Sequence, residues 1–198
     1  MLPAIVLAAG DSTRMGAPKA LLLTADGRPF VAAVIRALAA AGVTDIVIVT
    51  GRDHEAVVAA VGTDAPPVTP RFVRNPDPAR GQLSSLWVGM DAAIEPDTEA
   101  LLLTLVDVPL IRPETIAAVV DVWRRTRAPI VRPAIGDRHG HPVVFDRAVF
   151  QELRGAPPDA GAKAVVRRHE HELVNVPVTD ERCLVDVDTP EDYRRLGG

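Results

Sequence analysis

Three short apolar runs, each followed by a polar turn and a stretch of helical period, constrain the fold most. They occupy 4–8 (AIVLA), 45–50 (DIVIVT) and 100–106 (ALLLTLV) and are rich in aliphatic side chains. Runs of this length are typical of strands that are buried on both faces of a sheet. Because helical segments separate them, the strands are expected to be parallel, with right-handed crossovers. The first half of the chain is therefore predicted to be Rossmann-like.

The segments between and after these runs predict the remaining elements. Helices are predicted at 29–41, 54–61, 84–94 and 113–126. Further strands are predicted at 68–73, 130–135, 142–145 and 173–178. Ser84 is the expected N-cap of its helix. Together the elements predict a single domain over residues 1–198, built as a three-layer α/β/α sandwich with a mostly parallel sheet.

Composition narrows the class of protein. With 198 residues, 47% of them apolar, the chain can bury a core of the size that one such domain needs. A formal net charge of −4 argues against a nucleic-acid partner, so an anionic substrate must be attracted by local positive groups. The single cysteine, Cys183, fits a reducing compartment, and no apolar stretch reaches the ~18 residues of a membrane span. We expect a cytoplasmic protein without a membrane partner.

The first apolar run leads into a glycine-punctuated loop, residues 7–19 (LAAGDSTRMGAPK). Gly10 and Gly16 allow the backbone to approach a ligand closely, and Arg14 and Lys19 supply two cations. This combination predicts a cradle for a polyphosphate. It is not a Walker loop, because two residues separate the last glycine from Lys19, and the dinucleotide fingerprint G-x-G-x-x-G is absent.

Two acidic segments are candidate metal ligands. Asp107 directly follows the most hydrophobic run, where a carboxylate suits Mg²⁺, although an aspartate before a proline also occurs in ordinary turns. Asp186 and Asp188 lie two apart on a predicted strand and would share a face. Asp188 is preferred as the second ligand, and Asp186 is expected to orient a lysine or arginine. The following Thr189 to Asp192 segment is a capping box that starts the last helix.

The loop resembles the signature L-A-[AG]-G-x-S-x-R-M-G-x-x-K of the MobA-like nucleotidyltransferases, in their cytidylyltransferase branch. Later motifs recur at matching places, among them D-x-P at Asp107 and D-x-D-T-P-E-D at Asp188. The resemblance implies a nucleotide-diphospho-sugar transferase-like fold, Mg²⁺ on Asp107 and Asp188, and catalytic roles for Arg14, Lys19 and Asp107. The nucleotide-binding residues that it implies are Leu7, Ala8, Ala9, Gly10, Arg14, Lys19, Gly81, Ser84 and Ser85.

The later half of the chain resembles the acceptor side of the same family. The segment 136–145 (GDRHGHPVVF) resembles its G-x-x-G-[NH]-P-V motif, which implies that His141 shapes the pocket or binds the acceptor. Lys163, in a matching turn, would meet an acceptor phosphate, or it is a solvated lysine on a helix. Zinc at His139 and His141 is disfavoured because no third ligand occurs at usable spacing. The stretch 167–172 is predicted to be an exposed charged helix end.

The resemblance implies transfer of CMP from CTP to a phosphorylated acceptor such as molybdenum-molybdopterin, with release of pyrophosphate. The guanylyl branch tends to have a second glycine at Ala9 and an aspartate before the lysine, so this loop favours the cytidylyl branch. A molybdoenzyme or its chaperone is a candidate partner. The alternatives are another sugar-phosphate or small-phosphate nucleotidyltransferase, a non-catalytic nucleotide-binding or chaperone-like module, and an oxidoreductase that has taken over the fold.

Overall fold

The computed structural model describes residues 1–10, 12, 15–64, 66–157 and 161–195, and its centre is one sheet. The strands are β1 (Ala4–Ala8), β2 (Ile46–Thr50), β3 (Arg71–Arg74), β4 (Ala100–Leu105), β5 (Ile130–Ile135), β6 (Arg138–His139), β7 (Val143–Asp146) and β8 (Val174–Pro177). The helices are α1 (Phe30–Ala40), α2 (His54–Asp64), α3 (Gln82–Ala93), α4 (Pro113–Thr126), α5 (Phe150–Gly155), α6 (Lys163–Arg168) and α7 (Pro190–Arg195). Within these ranges, no helix combines the length and the apolar character needed to cross a membrane.

The strand pairing confirms the predicted fold. Strand β1 pairs in parallel with β2 and β4, and β3 pairs in parallel with β2. The second half adds mixed pairing, because β7 is antiparallel to both β4 and β5. Strand β5 also pairs with β6 in an antiparallel hairpin and with β8 in parallel. The result is a mostly parallel sheet with helices on both sides.

The uninterrupted apolar composition of β1 follows from burial on both faces. Ala4 and Val6 belong to a core cluster on one side of the sheet, and Ile5 and Leu7 belong to a second cluster on the other side. Helix α3 lies so close to the sheet that a side chain added at Gly89 would begin 2.6 Å from Ile5. Successive residues of a strand point to opposite faces, so each must be apolar.

Three local predictions were wrong in detail. Strand β3 begins at Arg71, directly after Pro70, because proline has no N–H to donate to the ladder. The N-cap of α3 is Gly81 and not Ser84; its φ of 95° lies in the left-handed region, which glycine adopts without a steric penalty. Asp186 and Asp188 do not lie on a strand: the chain forms a 3-10 turn at Glu181–Leu184 and then continues without pairing as far as α7.

The start of α7 confirms the predicted capping box. The Asp192 carboxylate accepts a hydrogen bond from the Thr189 backbone N–H at 2.9 Å, and the Thr189 hydroxyl accepts one from the Asp192 N–H at 3.2 Å. Tyr193 of this helix packs edge-on against Phe30, with ring centroids 5.9 Å apart, and its hydroxyl donates to the Leu23 carbonyl at 2.9 Å. The C-terminal helix is thereby attached to the segment that follows the opening loop.

Candidate functional site

The carboxyl ends of β1, β2 and β4 meet at one edge of the sheet, because these strands are parallel. A cavity of about 250 Å³ opens there. The predicted site residues that line it are Leu7, Ala8, Ala9, Gly10, Lys19, Gly81, Ser85, Asp107 and Asp188. Arg14 lies outside the described residues. Ligands bind at this edge in open α/β sheets, so the cavity is the candidate active site.

The opening loop is packed tightly against the end of β2. A Cβ atom on Gly51 would lie 2.7 Å from the carbonyl oxygen of Ala9, closer than such atoms approach in folded proteins. Position 51 must therefore be glycine for the opening loop to pack against the end of β2. Further along the loop, the backbone N–H of Lys19 donates to the Ser12 hydroxyl at 3.1 Å, which attaches the start of a 3-10 turn to the loop.

The centre of the cavity is an ion-pair triad of Lys19, Asp107 and Asp188. The Lys19 Nζ atom lies 2.8 Å from Asp107 Oδ2 and 2.5 Å from Asp188 Oδ1. The side chains of Lys19 and Asp107 are only 14% and 18% exposed, while Asp188 is 40% exposed. Three segments that are far apart in the chain thus converge on one point beside the cradle.

Backbone contacts bring Asp188 to this position. The Val187 N–H donates to the carbonyl oxygen of Asp107 at 3.0 Å, and the Val187 side chain is fully buried in the core. The attachment of α7 through Tyr193 holds the other end of the segment. Because these contacts join residues that are about 80 positions or more apart, only the folded chain can create the triad.

The triad is electrostatically suited to a cation. Burial alone would lower the pKa of Lys19, but hydrogen bonds and charges from Asp107 and Asp188 outweigh it and raise this pKa above its ordinary value. Asp107 Oδ1 is buried and has no hydrogen-bond partner among the described residues. Hard carboxylate oxygens of this kind suit a divalent cation such as Mg²⁺. The described part of the chain contains no group of three or more acidic, histidine or cysteine side chains placed to hold a metal ion.

The two serines at the start of α3 have different surroundings. Both hydroxyls accept hydrogen bonds from Asn75 Nδ2 at 2.9 Å, but only Ser85 lines the cavity. The Ser84 hydroxyl donates to the Gly81 carbonyl at 2.7 Å, so it braces the turn that Gly81 forms. Adjacent helical residues point in directions about 100° apart, which explains why one serine faces the cavity and its neighbour does not.

A second cavity of about 960 Å³ adjoins the first and shares Gly81, Gln82 and Leu105 with it. The two predicted acceptor residues, His141 and Lys163, both line it. The His141 backbone N–H donates to the Cys183 carbonyl at 2.9 Å, and its ring Nδ1 lies 3.5 Å from the Leu103 carbonyl oxygen. Burial lowers the pKa of His141, which keeps this imidazole neutral at pH 7.

The walls of both cavities include side chains that sequence reasoning did not assign to the site. These are Asp53 in the first cavity and Arg80, Arg132 and Arg167 in the second. Arg167 is exposed near the end of α6, as predicted, and it also lines the second cavity. Its spacing of four from Lys163 was the available signal, because such residues share a helix face. Burial and the charges of Asp107 and Asp188 raise the pKa of Asp186.

Comparison with known proteins gives relatives along nearly the whole chain. Residues 4–173 match the family described as MobA-like NTP transferase domain. A probable molybdenum cofactor guanylyltransferase of Mycolicibacterium paratuberculosis is 29% identical over 197 residues, which are 98% of this chain and 94% of that protein. The nicotine blue oxidoreductase of Paenarthrobacter nicotinovorans is 31% identical over 97% of this chain and 94% of that protein. The bifunctional protein GlmU of Sinorhizobium fredii is 38% identical over 58% of this chain, which spans only 25% of that protein.

Solved structures show the same architecture. The crystal structure of Rv0371c from Mycobacterium tuberculosis H37Rv superimposes with a TM-score of 0.82 at 33% sequence identity, over 98% of this chain and 96% of that chain. A manganese complex of Rv0371C has a TM-score of 0.79 at 31% identity, with the same coverage.

Proposed function

Because this chain belongs to the MobA-like NTP transferase family, we propose that it transfers a nucleoside monophosphate from a nucleoside triphosphate to a phosphorylated acceptor. The observation that carries the proposal is the contact of Lys19 with both Asp107 and Asp188 beside the opening loop. A cation next to two carboxylates at the edge of a phosphate cradle is an arrangement suited to phosphoryl chemistry.

In the proposed reaction an oxygen of the acceptor phosphate attacks the α-phosphorus. A new P–O bond forms as the bond to the bridging oxygen breaks, and pyrophosphate leaves with the electron pair. The backbone of residues 7–10 and the cations Arg14 and Lys19 would hold the β- and γ-phosphates. The Lys19 ammonium has three donors, and the two carboxylates use two of them. The third can serve a phosphate without loss of the triad.

Asp107 and Asp188 would hold a divalent cation, for which we propose Mg²⁺. The buried Oδ1 of Asp107, unpaired among the described residues, supports this assignment. When bound, such an ion neutralises charge on the phosphates. The similar Rv0371C structure is a complex with manganese, so Mn²⁺ is a suitable experimental probe.

For the nucleotide, the loop and the relatives favour different bases. Ala9, and the absence of an aspartate before Lys19, resemble the cytidylyl branch, which makes CTP our first candidate. The mycobacterial relative of nearly equal length is named as a guanylyltransferase, which makes GTP the competing candidate. That name also supports a molybdenum cofactor precursor as acceptor. We propose that the acceptor occupies the second cavity, against His141 and Lys163.

The test is a pyrophosphate-release assay with CTP, GTP, ATP or UTP, Mg²⁺ and molybdenum-molybdopterin. We expect release with CTP, and a loss of about a hundredfold or more in kcat for Lys19→Ala and Asp107→Ala. Asp121→Ala is the matched control, because Asp121 is 57% exposed on α4. If Lys19→Ala or Asp107→Ala keeps near-normal kcat while remaining folded, the proposed chemistry is wrong.

A second candidate function is redox chemistry, which the likeness to nicotine blue oxidoreductase favours. An absorbance spectrum of the purified protein distinguishes the two functions, since a bound flavin or nicotinamide absorbs above the protein band. A stoichiometric cofactor band combined with no pyrophosphate release from any of the four nucleotides would favour the oxidoreductase.

A further inference from the structure

The second cavity has a strongly cationic wall. Four positively charged side chains line it, and they come from separate parts of the chain: Arg80, Arg132, Lys163 and Arg167. The only carboxylate among its described lining residues is Asp186. The whole chain has a formal charge of −4, so this concentration of positive charge is local. A concave surface with one sign of charge attracts small ions of the opposite sign.

These four cations differ from most arginines of the protein surface. Surface arginines are commonly paired, as in Arg154–Asp91 at 2.7 Å and Arg168–Glu152 at 2.6 Å. Within the described ranges, by contrast, no carboxylate lies within 4.0 Å of the charged group of any of the four. Among the described residues, no salt bridge therefore competes with a ligand for these four charges.

Arg132 is the most constrained of them. It lies on β5, opposite Asn175 of β8, and its Nε donates to the Asn175 side-chain oxygen at 2.9 Å. This bond orients the guanidinium and leaves its two terminal nitrogens as donors. An oriented guanidinium binds a phosphate or a carboxylate through two parallel hydrogen bonds.

Arg132 and Lys163 have different neighbours in this cavity. Lys163 lies near enough to Asp186 and His141 to act on their charge, and both of these residues also sense Asp107 of the first cavity. Arg132 instead acts on His139, in the hairpin formed by β5 and β6, and the charge of Glu170 acts on both of these residues. Lys163 is therefore the cation on the side of the triad, and Arg132 is the cation on the side of the β5–β6 hairpin.

We propose that Arg132 binds a second anionic group of the acceptor, so that this cavity selects small molecules with two separated negative groups. This inference rests on the proposed function, because only that function makes the ligand of this cavity the acceptor. One anionic group, the attacking phosphate, lies at the Lys163 end. The other, a phosphate or a carboxylate, lies at Arg132.

The test compares two flexible probes by calorimetry, hexane-1,6-bisphosphonate and hexylphosphonate. We expect the wild-type protein to bind the bisphosphonate at least tenfold more tightly, and Arg132→Gln to reduce that preference by about tenfold or more. Arg138→Gln is the matched control, because Arg138 lies on the same hairpin but is 63% exposed and pairs with Glu181. It should keep the full preference. Thermal unfolding of each variant verifies that it is folded.

Either of two results would overturn the inference: no preference in the wild-type protein, or an unchanged preference in Arg132→Gln. The binding assay requires neither nucleotide nor turnover, so it fails independently of the proposed activity. An Arg132-dependent preference in a protein that releases no pyrophosphate would refute the transfer reaction and leave the two-anion site standing. Pyrophosphate release without this preference would refute the two-anion site and leave the transfer reaction standing.

Discussion

Replacing Lys19 by methionine removes the ammonium of the triad but keeps a side chain of similar length. Exposed ion pairs contribute about 0–1 kcal/mol, whereas breaking a fully buried pair costs about 3–5 kcal/mol. Lys19 and Asp107 are 14% and 18% exposed, and Asp188 is 40% exposed, so the triad lies between these limits. We expect a loss of about 2 kcal/mol in the free energy of unfolding without metal, or about 4–8 °C in Tm for a chain of this length.

The pH dependence of this loss has a defined sign. The pKa of Lys19 in the folded protein is raised above its ordinary value of 10.5. The stability that the charged Lys19 contributes is therefore fully present below pH 10.5, and it is lost as the pH rises through the raised folded pKa. The Tm difference between wild type and Lys19→Met should therefore be constant from pH 7.5 to pH 9.5 and shrink above about pH 10.5.

The assay is thermal unfolding in EDTA and again with Mn²⁺. The variant should gain more from Mn²⁺ than the wild type, because no ammonium competes for its carboxylates; a hundredfold excess over Kd adds about 2.7 kcal/mol. Lys163→Met, which alters the other lysine of the chain, is the control. It should leave unchanged both the Tm in EDTA and the increase in Tm with Mn²⁺. If Lys19→Met has wild-type stability and no larger response to Mn²⁺, the triad neither stabilises the fold nor competes with a metal ion.

Two further perturbations test other parts of the structure. Asp180 is buried and accepts hydrogen bonds from the Arg112 N–H at 3.0 Å and the Thr115 hydroxyl at 3.1 Å at the start of α4. Asp180→Ala should cost about 2 kcal/mol in urea unfolding, and Asp121→Ala, at an exposed site, less than about 0.5 kcal/mol. Burial lowers the pKa of His141 below 6.5, so below that pH the unfolded state takes up its proton first and stability falls. His141→Gln should therefore lose less stability than the wild type between pH 8 and pH 5.5; an equal loss would contradict the assignment.

Much of the fold was predictable because it depends on local pattern. The apolar runs became β1, β2 and β4, and the helix at 113–126 has the bounds that its proline and its amphipathic period predicted. The errors arose where a single backbone feature outweighed the pattern. Gly81 replaced Ser84 as the N-cap, and the segment that carries Asp188 formed no strand.

By itself, the sequence determined the parallel core and the loop that connects β1 to Lys19, because burial on two faces and glycine spacing are properties of adjacent residues. Only the tertiary structure decided that Asp188, 169 positions away, would reach Lys19. It also decided that Arg132 and Arg167 would line the same cavity. Contacts of this kind depend on how α6 and α7 pack against the sheet and on how β8 pairs with β5 within it, and no pattern within a short window of residues encodes that arrangement.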